Sequence, residues 1–329
     1  MPDLLQVRNL SKHYGSNRSL LSRLTGAPAP RLIAVDDVSF SIGQGEIFSL
    51  VGESGSGKTT LGRTILRLIE PTSGSIIYDG TDITALDKSR LRLARRQIQM
   101  IFQDPFSSLN PRLTVRQMLG EVLHVHGIRP PDQINSRIAE LLCLVGLPPD
   151  SIDRTPRHFS GGQRQRIGIA RALAVEPRFI VADEPVSAVD VSVQSQIMNL
   201  LLDLRDRLGL TLLFIAHDLS VVRYLSDRVG VMYLGRIVEI GTRDQIFAAP
   251  RHPYTQALLR AAPRPDPAHR GTEAALGGEP PSPLDPPQGC HFHTRCPRAT
   301  DLCRRVAPAP ETVAPDHIVR CHHHNPAFA

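Results

Sequence analysis

Gly52, Gly57, Lys58 and Thr59 stand in the spacing G-x-x-x-x-G-K-T, with Glu53, Ser54, Gly55 and Ser56 between the glycines and Thr60 after them. This is the residue set of a phosphate-binding loop. Glycines let backbone N–H groups turn inward around an anion, and a helix starting near Lys58 would add the positive end of its dipole. Lys58 would reach the β- and γ-phosphates as a point charge. Thr59 would offer its hydroxyl to Mg²⁺, an ion that prefers oxygen ligands. The plainer alternative is a flexible glycine turn. Further along, Asp183 and Glu184 close the apolar run Phe179–Ala182. Asp183 fits a Mg²⁺ partner, and Glu184 could polarise a water for in-line attack on a γ-phosphate. Taken alone, the same two acids would also suit the start of the next helix.

Such groups need elements to hold them. Glu46–Gly52 is a short apolar run before the glycine-rich turn, and Leu61, Ile65, Leu66, Leu68 and Ile69 then recur at helical spacing. Phe179–Ala182 and Leu212–Ala216 have the composition of buried parallel strands, and Ser192–Leu208 places Ile197, Leu200, Leu201 and Leu204 on one helix face. The alternation predicts an α/β domain whose parallel sheet presents ligands at its strand ends.

The composition changes near Pro250. The last 80 of 329 residues hold 15 of the 28 prolines, eight of the 13 histidines and four of the five cysteines. Residues 1–260 therefore read as the main domain, 261–289 as a Pro/Gly-rich linker, and 290–329 as a Cys-rich extension. A net charge of +6 permits an anionic partner without selecting one. No run approaches the roughly 18–20 apolar residues of a membrane span, and the start lacks a secretory apolar segment, so export is not expected.

Phe159, Ser160, Gly161, Gly162 and Gln163, followed by Arg164, Gln165 and Arg166, resemble the signature motif of ATP-binding-cassette (ABC) ATPases, with Phe159 in place of the usual Leu. Gln103 matches that family's Q-loop, Ser187–Asp190 its D-loop, His217 its switch histidine and Tyr14 the aromatic that stacks on adenine. The resemblance covers residues 4–260. It implies a P-loop NTPase with a RecA-like core, an antiparallel β subdomain and a helical signature subdomain over about 104–160. It implies ATP and Mg²⁺ as ligands, with Thr59, Gln103 and Asp183 at the metal, and Glu184, His217 and Gln103 at the γ-phosphate. Ser160, Gly161, Gly162 and Gln163 would face the ATP of a second, head-to-tail subunit.

Residues 99–112, 183–194 and 252–259 look like the oligopeptide/dipeptide/nickel importer branch, in the F form of its paired D and F ATPases. That implies a paralogous ATPase, two membrane permeases and an extracytoplasmic solute-binding protein, with this chain at the cytoplasmic face of the cell membrane. It implies a peptide substrate, with nickel or a chelate as the alternative. In the extension, Cys290, Cys296, Cys303 and Cys321 suit thiolate-held iron–sulfur or zinc, although tight C-x2-C pairs are lacking. The resemblance implies a [4Fe–4S] cluster there; zinc and no metal stay open, as do His291, His293 and His322–His324 as substitute ligands. Cys143 lies in an apolar helical stretch and reads as packing. Two rival classes are a soluble ABC ATPase acting on nucleic acid and a module that binds ATP without hydrolysing it. The first would carry two cassettes or a long coiled-coil insertion, and intact Glu184 and His217 oppose the second. Residues 16–31 read as an exposed hairpin tip without assigned function.

Overall fold

The computed structural model describes residues 2–15, 31–104, 108–187, 189–261 and 277–324. The hairpin tip, residues 105–107 of the importer-like run, residue 188 of the D-loop and residues 262–276 of the linker lie outside the described residues. The strands are β1 (Asp3–Gly15), β2 (Arg31–Gly43), β3 (Ile47–Val51), β4 (Ser73–Tyr78), β5 (Thr81–Asp82), β6 (Ile98–Ile101), β7 (Phe179–Asp183), β8 (Thr211–Ile215), β9 (Arg228–Tyr233), β10 (Arg236–Thr242), β11 (Glu311–Ala314) and β12 (His317–Val319). The helices used below are α1 (Lys58–Ile65), α2 (Lys88–Gln97), α3 (Val115–Val125), α4 (Ile134–Leu144), α5 (Gly161–Leu173), α6 (Val191–Leu208), α7 (Leu219–Leu225), α8 (Arg243–Ala248) and α9 (Pro253–Ala261). The chain divides into two compact units, one of Met1–Leu4, Ile42–Ile47 and Ala85–Ile215, the other of Leu5–Ser41, Phe48–Thr84 and Ala216–Ala329.

In the first unit β6, β7 and β8 run parallel, in a register that sets Met100 opposite Val181 and Asp183 opposite Ile215. β7 and β8 are buried along their whole length, as the unbroken apolar runs predict for strands covered on both faces. Helices α3, α4 and α5 lie between β6 and β7 in the chain. α3 buries Val115, Met118, Leu119 and Leu123, the stripe expected of a half-buried helix. Its start is fixed by a capping box in which Thr114 and Gln117 satisfy each other's backbone N–H. α6 buries Ile197, Leu201 and Leu204, and Leu200 is only half-buried.

In the second unit β2, β1, β4 and β5 form a sheet in that order, with β1–β4 and β4–β5 antiparallel, Leu5 opposite Tyr78 and Val7 opposite Ile76. β3 pairs in parallel with β9, aligning Leu50 with Gly230. β9 turns back into β10, β10 pairs antiparallel with β12, and β12 with β11. The C-terminal extension thus adds a hairpin directly to β10. Among the described residues no helix is long and apolar enough to cross a membrane.

Helix α1 is shorter than its apolar spacing predicts. It ends at Ile65, Arg67 adopts a left-handed φ of 50°, and Leu68 is 49% exposed. Arg67 holds that break in place by a fork onto Glu70 at 3.0–3.1 Å and a bond to the Ile83 carbonyl at 2.8 Å.

Buried polar groups pin the extension. The Glu239 carboxylate, 1% exposed, accepts the N–H groups of Arg251 at 2.7 Å and His252 at 3.0 Å, and meets His317 Nε2 at 2.8 Å. Burial raises the Glu239 pKa, but bonds from His317 and those two N–H groups outweigh it and the net shift is downward. His252 Nδ1 accepts the Tyr254 N–H at 3.0 Å. Burial pushes the His252 pKa down to about 4, against the opposing pull of Glu239 and the Arg320 carbonyl. An unfolded histidine titrates near 6.5, so the folded chain holds fewer protons between those values. Stability from this residue is complete above pH 6.5 and is lost as pH falls towards 4, by about 3 kcal/mol. Thermal melts across that window are expected to show the loss, and His252→Asn, which keeps an acceptor but cannot titrate, to remove it.

Candidate functional site

The phosphate loop follows β3, whose five residues are all buried. Gly52 has φ 153° and Gly57 φ 104°; a Cβ on either would come within 2.1 Å of a backbone oxygen, that of Met232 or Ala34 respectively. Gly55 has φ 77° with open space around it. The two ends of the loop are therefore glycine by close approach, the middle one by backbone angle. The Ser56 N–H closes a turn onto the Glu53 carbonyl at 3.2 Å, and the Gly235 N–H donates to the Ser56 carbonyl at 2.9 Å. Lys58 is 5% exposed, and its Nζ donates to the carbonyls of Gly52 at 2.8 Å and Glu53 at 2.9 Å. The ammonium is held over the loop's own oxygens. Gly57 caps α1 without a side chain, and the first turn carries no acid, so the helix start faces the loop with its positive end uncompensated locally. Ser54 and Gly55 are exposed; Glu53, Thr59 and Thr60 are half-buried. Gly57→Ala is expected to abolish ATP binding while leaving the parallel strands folded, measured by nucleotide titration alongside circular dichroism.

Two other expected residues lie in this same unit. Tyr14 ends β1, 37% exposed, with Lys12 Nζ 4.9 Å from its ring centroid. His217 is exposed immediately before α7, whose start is capped by Asp218 accepting the Ser220 N–H at 2.8 Å.

In the other unit β7 delivers Asp183, 1% exposed, to its C-terminal end. Glu184 follows at a left-handed φ of 44°, its N–H donating to the Ile215 carbonyl at 3.0 Å. A non-glycine residue in that conformation costs of order 1–3 kcal/mol and turns the side chain out of the strand's alternation. Gln103 Nε2 donates to Glu184 Oε2 at 3.0 Å, so two residues 81 apart in sequence are brought together. Ser160 caps α5 in a capping box with Gln163, at 3.3 Å and 3.0 Å. The two signature glycines differ. A Cβ on Gly162 would meet Val193 Cγ1 of α6 at 2.3 Å, whereas one on Gly161 would have only Val189 at 4.0 Å. Gly162 is required by packing within the chain, and Gly161 leaves backbone open.

Sequence reasoning did not single out Tyr254 or Arg295. The Glu53 N–H donates to Tyr254 Oη at 2.9 Å, and Arg295 grips the Glu53 carboxylate with Nη1 at 2.8 Å and Nη2 at 3.0 Å. No local signal marks a partner 242 residues away.

Cys290, Cys296, Cys303 and Cys321 do converge, lining one pocket with His252, Phe292, His293, His322 and His323. The expected [4Fe–4S] cluster is not supported by it. The cavity is about 10 Å³, room for roughly one water-sized sphere. Among the described residues no group of three or more His, Cys, Asp or Glu is placed to hold a metal ion, which applies to zinc as well. Burial pushes the thiols of Cys290 up to about 11 and Cys321 up to about 12, and raises Cys296. Cys143 is exposed, not packed as its apolar neighbours predict.

A P-loop after a buried strand, an acidic strand end and a glycine-started signature helix define the ABC class of nucleotide-binding cassette. Residues 35–187 match the ABC transporter family, and residues 238–303 match the oligopeptide/dipeptide transporter C-terminal region. A Brucella ovis protein named for peptide import as an ATP-binding protein is 54% identical over 97% of both chains. The oligopeptide transport ATP-binding protein AppF of Bacillus subtilis is 49% identical, again over 97% of each. Among solved structures, the ATP-binding cassette MJ0796, a dimer bound to ADP and phosphate, superposes with a TM-score of 0.63 at 30% identity, over 73% of this chain and 98% of that one. CbiO1 of Clostridium perfringens, part of the transporter complex cbiONQ, gives 0.63 at 29%, over 75% and 91%. The chain belongs to the ABC transporter ATP-binding proteins, in the group whose members carry the oligopeptide/dipeptide C-terminal region.

Proposed function

We propose that this chain is the ATP-hydrolysing subunit of an importer that takes up dipeptides or oligopeptides. The observation that carries the proposal is the presence in one chain of a complete set of cassette residues and the oligopeptide/dipeptide C-terminal region. Lys58 and the loop Gly52–Gly57, with Thr60, bind the phosphates, and Tyr14 stacks on the base. Thr59, Gln103 and Asp183 supply the oxygen donors that Mg²⁺ prefers. Glu184 takes a proton from the attacking water and His217 bonds the γ-phosphate. Ser160, Gly161, Gly162 and Gln163 serve the ATP of a partner subunit, through a hydroxyl and the N–H groups of a helix start.

In this reading the chain works head-to-tail with a paralogous ATPase, at the cytoplasmic face of the membrane, on two permeases supplied by an extracytoplasmic solute-binding protein. Co-purification from membranes with two permeases and a second ATPase is the expected result, together with ATP turnover that rises when peptide-loaded binding protein is added. A soluble chain whose turnover rises with DNA or RNA would overturn the proposal. The cluster is a separate matter. Iron, zinc and acid-labile sulfide on anaerobically purified chain decide it, sulfide equal to iron on the four cysteines being the result a [4Fe–4S] cluster requires.

A further inference from the structure

We propose that Arg295 is a positioning residue for the phosphate loop, and that the C-terminal extension is through it a working part of the ATP site. The inference rests on the ATPase reading above and concerns Arg295, which that reading leaves unused. Arg295 reaches the loop as a fork: Nη1 and Nη2 grip the two carboxylate oxygens of Glu53 at 2.8 Å and 3.0 Å. The Arg295 side chain is only 5% exposed and that of Glu53 24%, so the pair is largely withdrawn from water. Two further contacts hold the guanidinium. Nε bonds the Gly277 carbonyl at 3.1 Å, and the guanidinium lies 5.9 Å from the Tyr233 ring centroid.

The bed beneath the fork is aromatic and buried. Tyr233, Tyr254 and Phe292 are among the most deeply buried side chains, with ring centroids 4.6 Å apart for Tyr233–Tyr254, 5.2 Å for Tyr233–Phe292 and 5.4 Å for Tyr254–Phe292. Tyr254 then takes the Glu53 N–H. Glu53 is thus fixed by backbone and side chain at once, by an aromatic from α9 and a cation from the extension. Its carbonyl is one of the oxygens to which Lys58 is tied. The chain of contacts runs from Arg295 through Glu53 to the lysine that would meet phosphate.

Phosphate binding by backbone N–H groups needs a loop already in shape, since ordering it on arrival subtracts from affinity. A bidentate arginine–carboxylate pair removed from solvent supplies such order, and lysine cannot reproduce its geometry. The extension that supplies Arg295 also lines the thiol pocket with its next residue, Cys296.

The test uses the transporter containing the full-length chain, with ATP affinity by equilibrium binding and KM and kcat by ATP turnover. Arg295→Ala is expected to weaken ATP binding and raise KM about tenfold, with kcat within about twofold. Arg295→Lys should fall between it and wild type. Glu53→Gln should raise KM by a similar factor, and the double variant no further than either single one, because both changes remove one interaction. An Arg295→Ala protein that is folded and binds ATP as tightly as wild type overturns the proposal. So do additive effects in the double variant. Should Arg295→Ala lose its fold, Glu53→Gln carries the test alone, since it leaves Arg295 and its aromatic bed in place: an unchanged KM overturns, a raised KM supports. Wild-type turnover that does not depend on Lys58 would instead refute the ATPase reading, a result distinct from any of these.

Discussion

Glu184→Gln is expected to slow ATP hydrolysis by about 10²–10³-fold while ATP binding stays within a few-fold of wild type. Glutamine keeps the shape of the side chain, and its amide oxygen can still accept the Gln103 bond seen at 3.0 Å. The left-handed backbone at φ 44° that aims residue 184 is also undisturbed. What is lost is the carboxylate able to take a proton from water. Binding and turnover should therefore separate, and nucleotide-bound dimers should accumulate because the γ-phosphate is not removed. Single-turnover hydrolysis and size-exclusion chromatography with ATP read both consequences. Turnover at the wild-type rate would remove Glu184 from the role of base.

Lys58→Ala should act earlier, on binding. The ammonium is 5% exposed and held by the carbonyls of Gly52 and Glu53. Charge-assisted bonds of this kind contribute about 1.5–3 kcal/mol each, so losing two to phosphate lowers ATP affinity by about 10²–10⁴-fold. Alanine also unties the loop from within, which adds to the loss. Equilibrium ATP titration is the measurement. Lys58→Arg is expected to recover little, because a planar fork does not fit where a compact ammonium is enclosed by the loop.

The parts that were legible in the sequence are those whose physics is local. A short, mostly apolar strand, a glycine at the left-handed φ of 77° of Gly55, and a Ser160–Gln163 capping box all lie within a few residues of their causes. The backbone oxygens that exclude a Cβ at Gly52 and Gly57, by contrast, belong to Met232 and Ala34. Apolar spacing overshot at α1 because it cannot register Arg67, whose left-handed turn is held by Glu70 and the Ile83 carbonyl. Long-range contacts left no trace either. The hairpin β11–β12 joins β10 through pairing, and Arg295 meets Glu53 across 242 residues, neither of which any local pattern encodes. The four cysteines could be recognised as a set, and they do line one pocket. The volume left among them depends on how Phe292 and the histidines pack, which spacing does not contain.

Peptide uptake into proteoliposomes tests the central claim most directly. The vesicles would hold this chain with its permeases and partner ATPase, and receive peptide-loaded binding protein outside and ATP inside. Labelled dipeptide or oligopeptide is expected to accumulate against its gradient only with ATP, and accumulation to be lost with Lys58→Ala. Uptake that persists in the Lys58→Ala vesicles, or ATP consumption that moves no peptide, would contradict the account.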